Sequence, residues 1–153
     1  MSTQSTHFIH LNKDWNADPN APASKLIVDG TDLILKFFIN HFVFEEFNEN
    51  DVGYIRFHNC TRYKFTQVND EGWYMGQCRF SLLAPSWGEF YHVKGDFKEQ
   101  EQNHPWTFLE KNEGDQNNYL FYFRDETFEC SAKRYSFDLN SKNMLRNKEI
   151  EFD

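Results

Sequence analysis

The densest chemical grouping in this 153-residue chain is Pro85-Ser86-Trp87-Gly88-Glu89-Phe90-Tyr91-His92-Val93. As a strand, it sets Trp87, Glu89, Tyr91 and Val93 on one face and Gly88, Phe90 and His92 on the other. A carboxylate between two aromatics on an inner face must be paired or protonated. Arg56, Arg79 and Arg124 each lie on a strand-like segment and could supply the partner. The functional reading is a ligand-reading acid in an aromatic pocket, with Trp87, Glu89, Tyr91, Trp73, Arg56 and Arg124 as the candidate binding set. The bland reading is a structural Glu-Arg pair, or a strand whose Trp87 face meets solvent. Glu89 and His92 make a poor acid-base pair, because alternation puts them on opposite faces.

Other chemistries lack a signature. His7, His10, His41, His58, His92 and His104 show no metal-binding spacing, and no HExxH occurs, so neither metal nor cofactor is expected. There is no GxSxG, and no glycine-rich phosphate loop among the seven scattered glycines. Cys60, Cys78 and Cys130 are an odd set with no close pair. They read as buried thiols in a reducing compartment rather than a disulfide framework. No catalytic residue is assigned, and a non-enzymatic protein is expected.

The elements that must position these groups are short strands. His7 to Leu11 is a candidate strand, followed by a turn-rich loop from Asn12 to Ala23 in which Trp15 should plug onto the core. Lys25 to Val28 is a strand, and Asp29-Gly30 is a tight-turn signal. Leu33, Leu35, Phe37 and Ile39 then share a wholly apolar face. Phe42 and Phe44 have the opposite parity, so a bulge or bend near Asn40-His41 is expected to restore the register. Tyr54 to His58 alternates, with Ile55 and Phe57 on one face. Residues 63 to 80 read as a hairpin turning at Asn69-Asp70-Glu71-Gly72. Trp106 to Leu109 is a further short strand. Tyr119, Phe121 and Phe123 alternate with Leu120 and Tyr122; a reversal at Asp125-Glu126 leads to Phe128, Cys130 and Ala132, which should point inward. Glu129 reads as solvent-facing. Tyr135 to Leu139 is the last strand.

About nine short strands and little helix predict a mainly all-β, antiparallel sandwich or barrel. One domain spanning 1-153 is expected, with residues 1-6 and about 141-153 flexible. A chain of this length can bury roughly 70% of its unfolded surface. Aromatics at 18%, with 17 Phe, suit a pleated, half-buried interior.

Sixteen Lys and Arg against 24 Asp and Glu give a net charge of −8. That balance argues against nucleic acid, whose phosphates need cations. It serves solubility, or it steers a basic protein partner. The Leu33-Phe44 tract is too short and too polar for a membrane span, and the first residues do not form a signal peptide, so a cytoplasmic location is expected.

Trp87-Gly88-Glu89-Phe90-Tyr91 resembles WGEFY-type runs in small, uncharacterised, β-rich bacterial proteins. Some small acidic proteins of that general look are immunity proteins, which neutralise toxins in the producing cell. The resemblance covers five to seven residues and implies no catalytic group; it implies a protein-binding role. The expectation is therefore a protein-interaction or toxin-neutralising module with an acidic, aromatic surface. The alternative is a β-barrel or sandwich holding a small apolar or sugar ligand between Trp87, Tyr91, Phe37 and Trp73, with Glu89 as polar anchor.

Overall fold

The Lys25-Val28 run and the Leu33-Ile39 run are joined by residues suited to a two-residue reversal. Asp29 pairs with Asp32, and Gly30 takes the positive φ of 63° that the turn requires. Strand formation of this kind recurs through the computed structural model, which describes residues 6–19, 22–49, 51–67, 75, 89–95, 106–109, 116–123 and 126–139. Among the described residues there are ten strands: β1 (His7–His10), β2 (Lys25–Asp29), β3 (Asp32–Phe38), β4 (Val52–His58), β5 (Arg62–Thr66), β6 (Phe90–Lys94), β7 (Thr107–Phe108), β8 (Asn117–Tyr122), β9 (Thr127–Ala132) and β10 (Arg134–Leu139).

They form two antiparallel sheets, a six-stranded one in the order β1-β6-β8-β9-β5-β7 and a four-stranded one in the order β10-β4-β3-β2. The fold is an all-β sandwich, as the strand pattern predicts. The chain passes from the larger sheet to the smaller at Lys133, whose amide donates to His58 O at 2.9 Å.

The apolar face read from β3 is the core face: Leu33, Leu35, Phe37 and Ile39 are fully buried beside Ile55 and Phe57 of β4. Phe90, Tyr119, Phe121, Phe128, Cys130 and Ala132 meet them from the other sheet. Phe37 meets Phe121 edge-on at 5.3 Å, and Phe57 lies 5.2 Å from Phe128. Trp15 does plug the loop onto this core. It stacks on Phe137 at 4.1 Å with the rings 4° from parallel, and on Phe37 at 5.5 Å. Such aromatic pairs add about 0.5–1.5 kcal/mol each beyond the burial itself.

Three expectations need correction. First, β3 ends at Phe38, and neither a bulge nor a bend carries the strand on to Phe44. Asn40 Oδ1 instead accepts the amides of Phe42 (3.1 Å) and Val43 (3.3 Å), turning the chain out of the sheet. Second, the sandwich interior receives Phe90, not Tyr91 and Val93; His92 shares the Phe90 face but is only half-buried. Tyr91 continues a row across the outer face of the larger sheet, through Leu120 and Glu129 to Lys64. Third, Glu129 in that row is buried rather than solvent-facing, and its Oε2 lies 3.5 Å from Lys64 Nζ. These last two errors share a cause: both faces of the larger sheet are largely buried, so polarity does not distinguish inside from outside.

Apart from Met75, which is exposed, the return half of the expected 63–80 hairpin lies outside the described residues, as does the segment from 140 onward. β5 itself is flanked by β9 along its length and by β7 at Arg62 and Tyr63.

Candidate functional site

Glu89 stands immediately before β6, where the loop carrying Trp15 crosses the end of the strand. The crossing is held by hydrogen bonds. Leu11 N donates to Phe90 O at 3.0 Å, and Phe90 N donates to Asn12 Oδ1 at 2.9 Å. Buried Asn12 spends its other amide end twice, on Trp15 O at 3.1 Å and on Glu89 Oε2 at 2.6 Å. Glu89 Oε2 also meets His10 Nε2 at 2.8 Å, and Oε1 accepts from Asn16 Nδ2 at 3.3 Å. A carboxylate only accepts, so the proton of the His10 contact sits on Nε2.

Among the described residues, Glu89 is met by His10, Asn12 and Asn16 and by no arginine. Arg56 belongs to the other sheet, where Nη1 donates to Asp32 Oδ2 at 2.8 Å and Nη2 to Asp29 Oδ2 at 3.1 Å. Tyr91 is buried against Phe8, edge-on at 5.9 Å, and so offers no accessible face. Trp87, Trp73, Arg124 and Arg79 lie outside the described residues. Phe37 is locked in the core and Tyr91 faces away from it, so these two do not line a common pocket.

The Glu89 network leads to a surface loop. Asn16 O accepts Asn40 N at 2.8 Å, and Ala17 bridges to Ile39. Asn40 then fixes the Phe42 and Val43 amides, as above. The far end of the loop is closed by Ile39 N to Asp51 O (2.9 Å), Asp51 N to Asn48 O (3.1 Å) and Asn48 N to Asp51 Oδ2 (2.8 Å). Inside it, Phe47 N donates to Phe44 O at 3.1 Å while the Phe47 ring packs on the core. The backbone is thus pinned at both ends. Phe42 and Val43 nevertheless stand 62% and 69% exposed. Glu45, Glu46 and Glu49 are exposed in the same loop, and none makes an ion pair with a described residue. The strand pattern that the sequence carries to Phe44 gave no sign of this apolar tip. The available signal was Asn40 at the break in parity, since Asn turns a chain by accepting amides two and three residues ahead.

A second feature is a polar cleft of about 230 Å³ lined by His92, Val93, Lys94, Gly95, Gln116, Asn117 and Asn118. Burial pushes the His92 pKa down, helped by Lys94 and opposed by a hydrogen bond to Asn117. Burial, with Cys130 and Tyr135 close by, pushes the neighbouring Tyr119 phenol up to about 12.

Among the described residues, no group of three His, Cys, Asp or Glu side chains could hold a metal ion, and no helix is long and apolar enough to cross a membrane. Compared with protein-family models, curated proteins and solved structures, the chain matches none.

Proposed function

We propose that this chain works by binding a basic protein through the loop from Phe42 to Glu49. The observation that carries the reading is the pair of exposed apolar side chains, Phe42 and Val43, on a pinned loop that also carries three exposed glutamates. An aromatic anchor that is already ordered loses little entropy on docking, and unpaired glutamates attract and orient a cationic surface. The net charge of −8 acts in the same sense at longer range. The toxin-neutralising role implied by the WGEFY resemblance is the case in which that basic partner is a toxin. We place the protein in the cytoplasm, which suits the free thiols of Cys60 and Cys130.

The test begins with partners captured at low salt and then purified. Their affinity is measured calorimetrically against the wild type, Phe42→Ser/Val43→Ser, and Glu45→Gln/Glu46→Gln/Glu49→Gln. The apolar double variant is expected to weaken binding by about tenfold or more. The triple variant should remove much of the salt dependence. A partner bound equally well by both variants refutes this loop as the contact.

A second reading, a small-ligand site, is favoured by the cleft at His92. Its lining of amides, imidazole and ammonium suits a small polar solute rather than an apolar one. Titrating such solutes while following the His92 and Asn117 NMR signals tests it; signals that stay unmoved exclude it.

A further inference from the structure

Three residues distant in sequence meet on the outer face of the four-stranded sheet. Ser136 lies on β10, opposite Arg56 of β4; His58 lies on β4, opposite Arg134 of β10. His58 Nε2 is 2.9 Å from Ser136 Oγ, and His58 Nδ1 is 3.7 Å from Asp32 Oδ2. Asp32 is itself immobilised: Oδ2 accepts from Arg56 Nη1 and Oδ1 accepts from Asn59 N at 2.9 Å. Asn59 is held in turn by Thr31, whose Oγ1 donates to Asn59 Oδ1 at 3.1 Å.

The carboxylate beside Nδ1 favours the tautomer with its proton there. That leaves the Nε2 lone pair for the Ser136 hydroxyl. Burial and the Arg134 cation push the imidazole pKa down, opposed by Asp32, so the ring is a neutral base at pH 7. The 3.7 Å separation is longer than a hydrogen bond, a looseness common at such sites before substrate binds. Ser136 is half-buried on the strand that ends the sheet, and Arg134 beside it is exposed.

We propose that Ser136 is a histidine-activated nucleophile that accepts acyl groups from esters, with His58 as its base and Asp32 as the positioning residue that orients the imidazole. Ser136 Oγ bonds to the ester carbonyl carbon as its proton passes to His58 Nε2, and the carbonyl π pair moves onto oxygen. The exposed Arg134 guanidinium, two residues from Ser136 on the same face, is a cation available to that oxyanion. Collapse breaks the bond to the leaving oxygen, which takes the proton from His58. Water, deprotonated by His58, then attacks the acyl-serine; the acid departs and the Ser136 hydroxyl is restored. This activity is separate from the binding reading and uses none of the loop residues.

The experiment treats the folded protein with diisopropyl fluorophosphate and with p-nitrophenyl acetate, and locates adducts by mass spectrometry. In the first reaction Oγ bonds to phosphorus, fluoride leaves and His58 takes the proton. Selective modification of Ser136 is expected, slowed about a hundredfold in His58→Asn and absent in Ser136→Ala. Circular dichroism and thermal melts establish that each variant is folded. Labelling lost in Asp32→Asn should be regained in Asp32→Glu, which simple loss of a fold contact would not produce. If folded wild-type protein gains no adduct at Ser136, or labels no faster there than at its other serines, the proposal is wrong. Should His58→Asn fail to fold, the wild-type and Ser136→Ala measurements decide by themselves.

Discussion

Asn12 Nδ2 lies 2.6 Å from Glu89 Oε2, and through that contact the loop carrying Trp15 is tied to the start of β6. The tie continues from Glu89 to Asn16, from Asn16 to Asn40, and from Asn40 to the amides of Phe42 and Val43. Replacing Glu89 with Gln leaves one accepting oxygen where three donors converge, and turns an amide toward a donor. The expected cost is about 1–3 kcal/mol in urea denaturation. Amide hydrogen exchange at Phe42 and Val43 should accelerate as well. Unchanged exchange there would show that the loop is held independently of Glu89.

Gly53 leaves no room for a side chain against the core. A Cβ on it would sit 2.8 Å from Ile39 Cδ1 and 2.9 Å from two atoms of the Phe37 ring. Both neighbours are fully buried and have little room to retreat. Gly53→Ala is expected to cost about 1–3 kcal/mol by overpacking. Adding Phe37→Leu should recover part of that loss, so the double variant should melt higher than the two single effects predict when summed. Strict additivity in the melting series would count against the contact.

The buried pair of Lys64 and Glu129 sits with the Lys64 ammonium 4.4 Å above the Trp106 ring. Glu129→Ala strands a buried ammonium, at an expected cost of about 3–5 kcal/mol. Replacing both, as Lys64→Met/Glu129→Leu, should be milder than removing the carboxylate alone. A double-mutant cycle by chemical denaturation measures this; a double variant less stable than Glu129→Ala overturns the expectation.

Acidification should weaken the fold before most carboxylates titrate. Burial holds the pKa of both His58 and His92 below the ordinary histidine value of 6.5. The unfolded chain therefore takes up protons first as pH falls below about 6.5, and the native state loses ground until the folded-state imidazoles titrate too. Above that pH the two histidines contribute no slope. Melting temperatures recorded from pH 8 to pH 5 should be flat and then fall, and His92→Gln should shallow the fall. A melting temperature that rises on acidification would contradict the assignment.

Much of the scaffold was legible because one face of several strands is clean. Leu33, Leu35, Phe37 and Ile39 alternate with residues of mixed polarity, and a two-fold period needs no tertiary information. Trp15 was legible too, since a lone indole among turn formers has few destinations but the core. The larger sheet was less readable. Tyr91, Leu120 and Tyr122 are as apolar as the residues on the opposite face, and the charges of Lys64 and Glu129 neutralise each other out of sight of water. The partners of Glu89 were missed for a related reason. An arginine is the usual answer to a half-buried carboxylate, whereas here two asparagines and a histidine supply the donors. The Ser136, His58 and Asp32 cluster is assembled from three strands, and no local spacing announces it.

The order of strands in the two sheets has a consequence for how the protein is made. β1 must wait for β6, β5 for β7 and β9, and β4 gains its second neighbour only with β10. Neither sheet can close around its aromatic side chains while the early strands alone have emerged from the ribosome. Nascent chain carrying Phe37, Phe57 and Trp15 without their opposite sheet is sticky, and pairings this distant form slowly. Yield in recombinant expression should therefore respond more to synthesis rate and chaperone supply than to the stability of the finished fold.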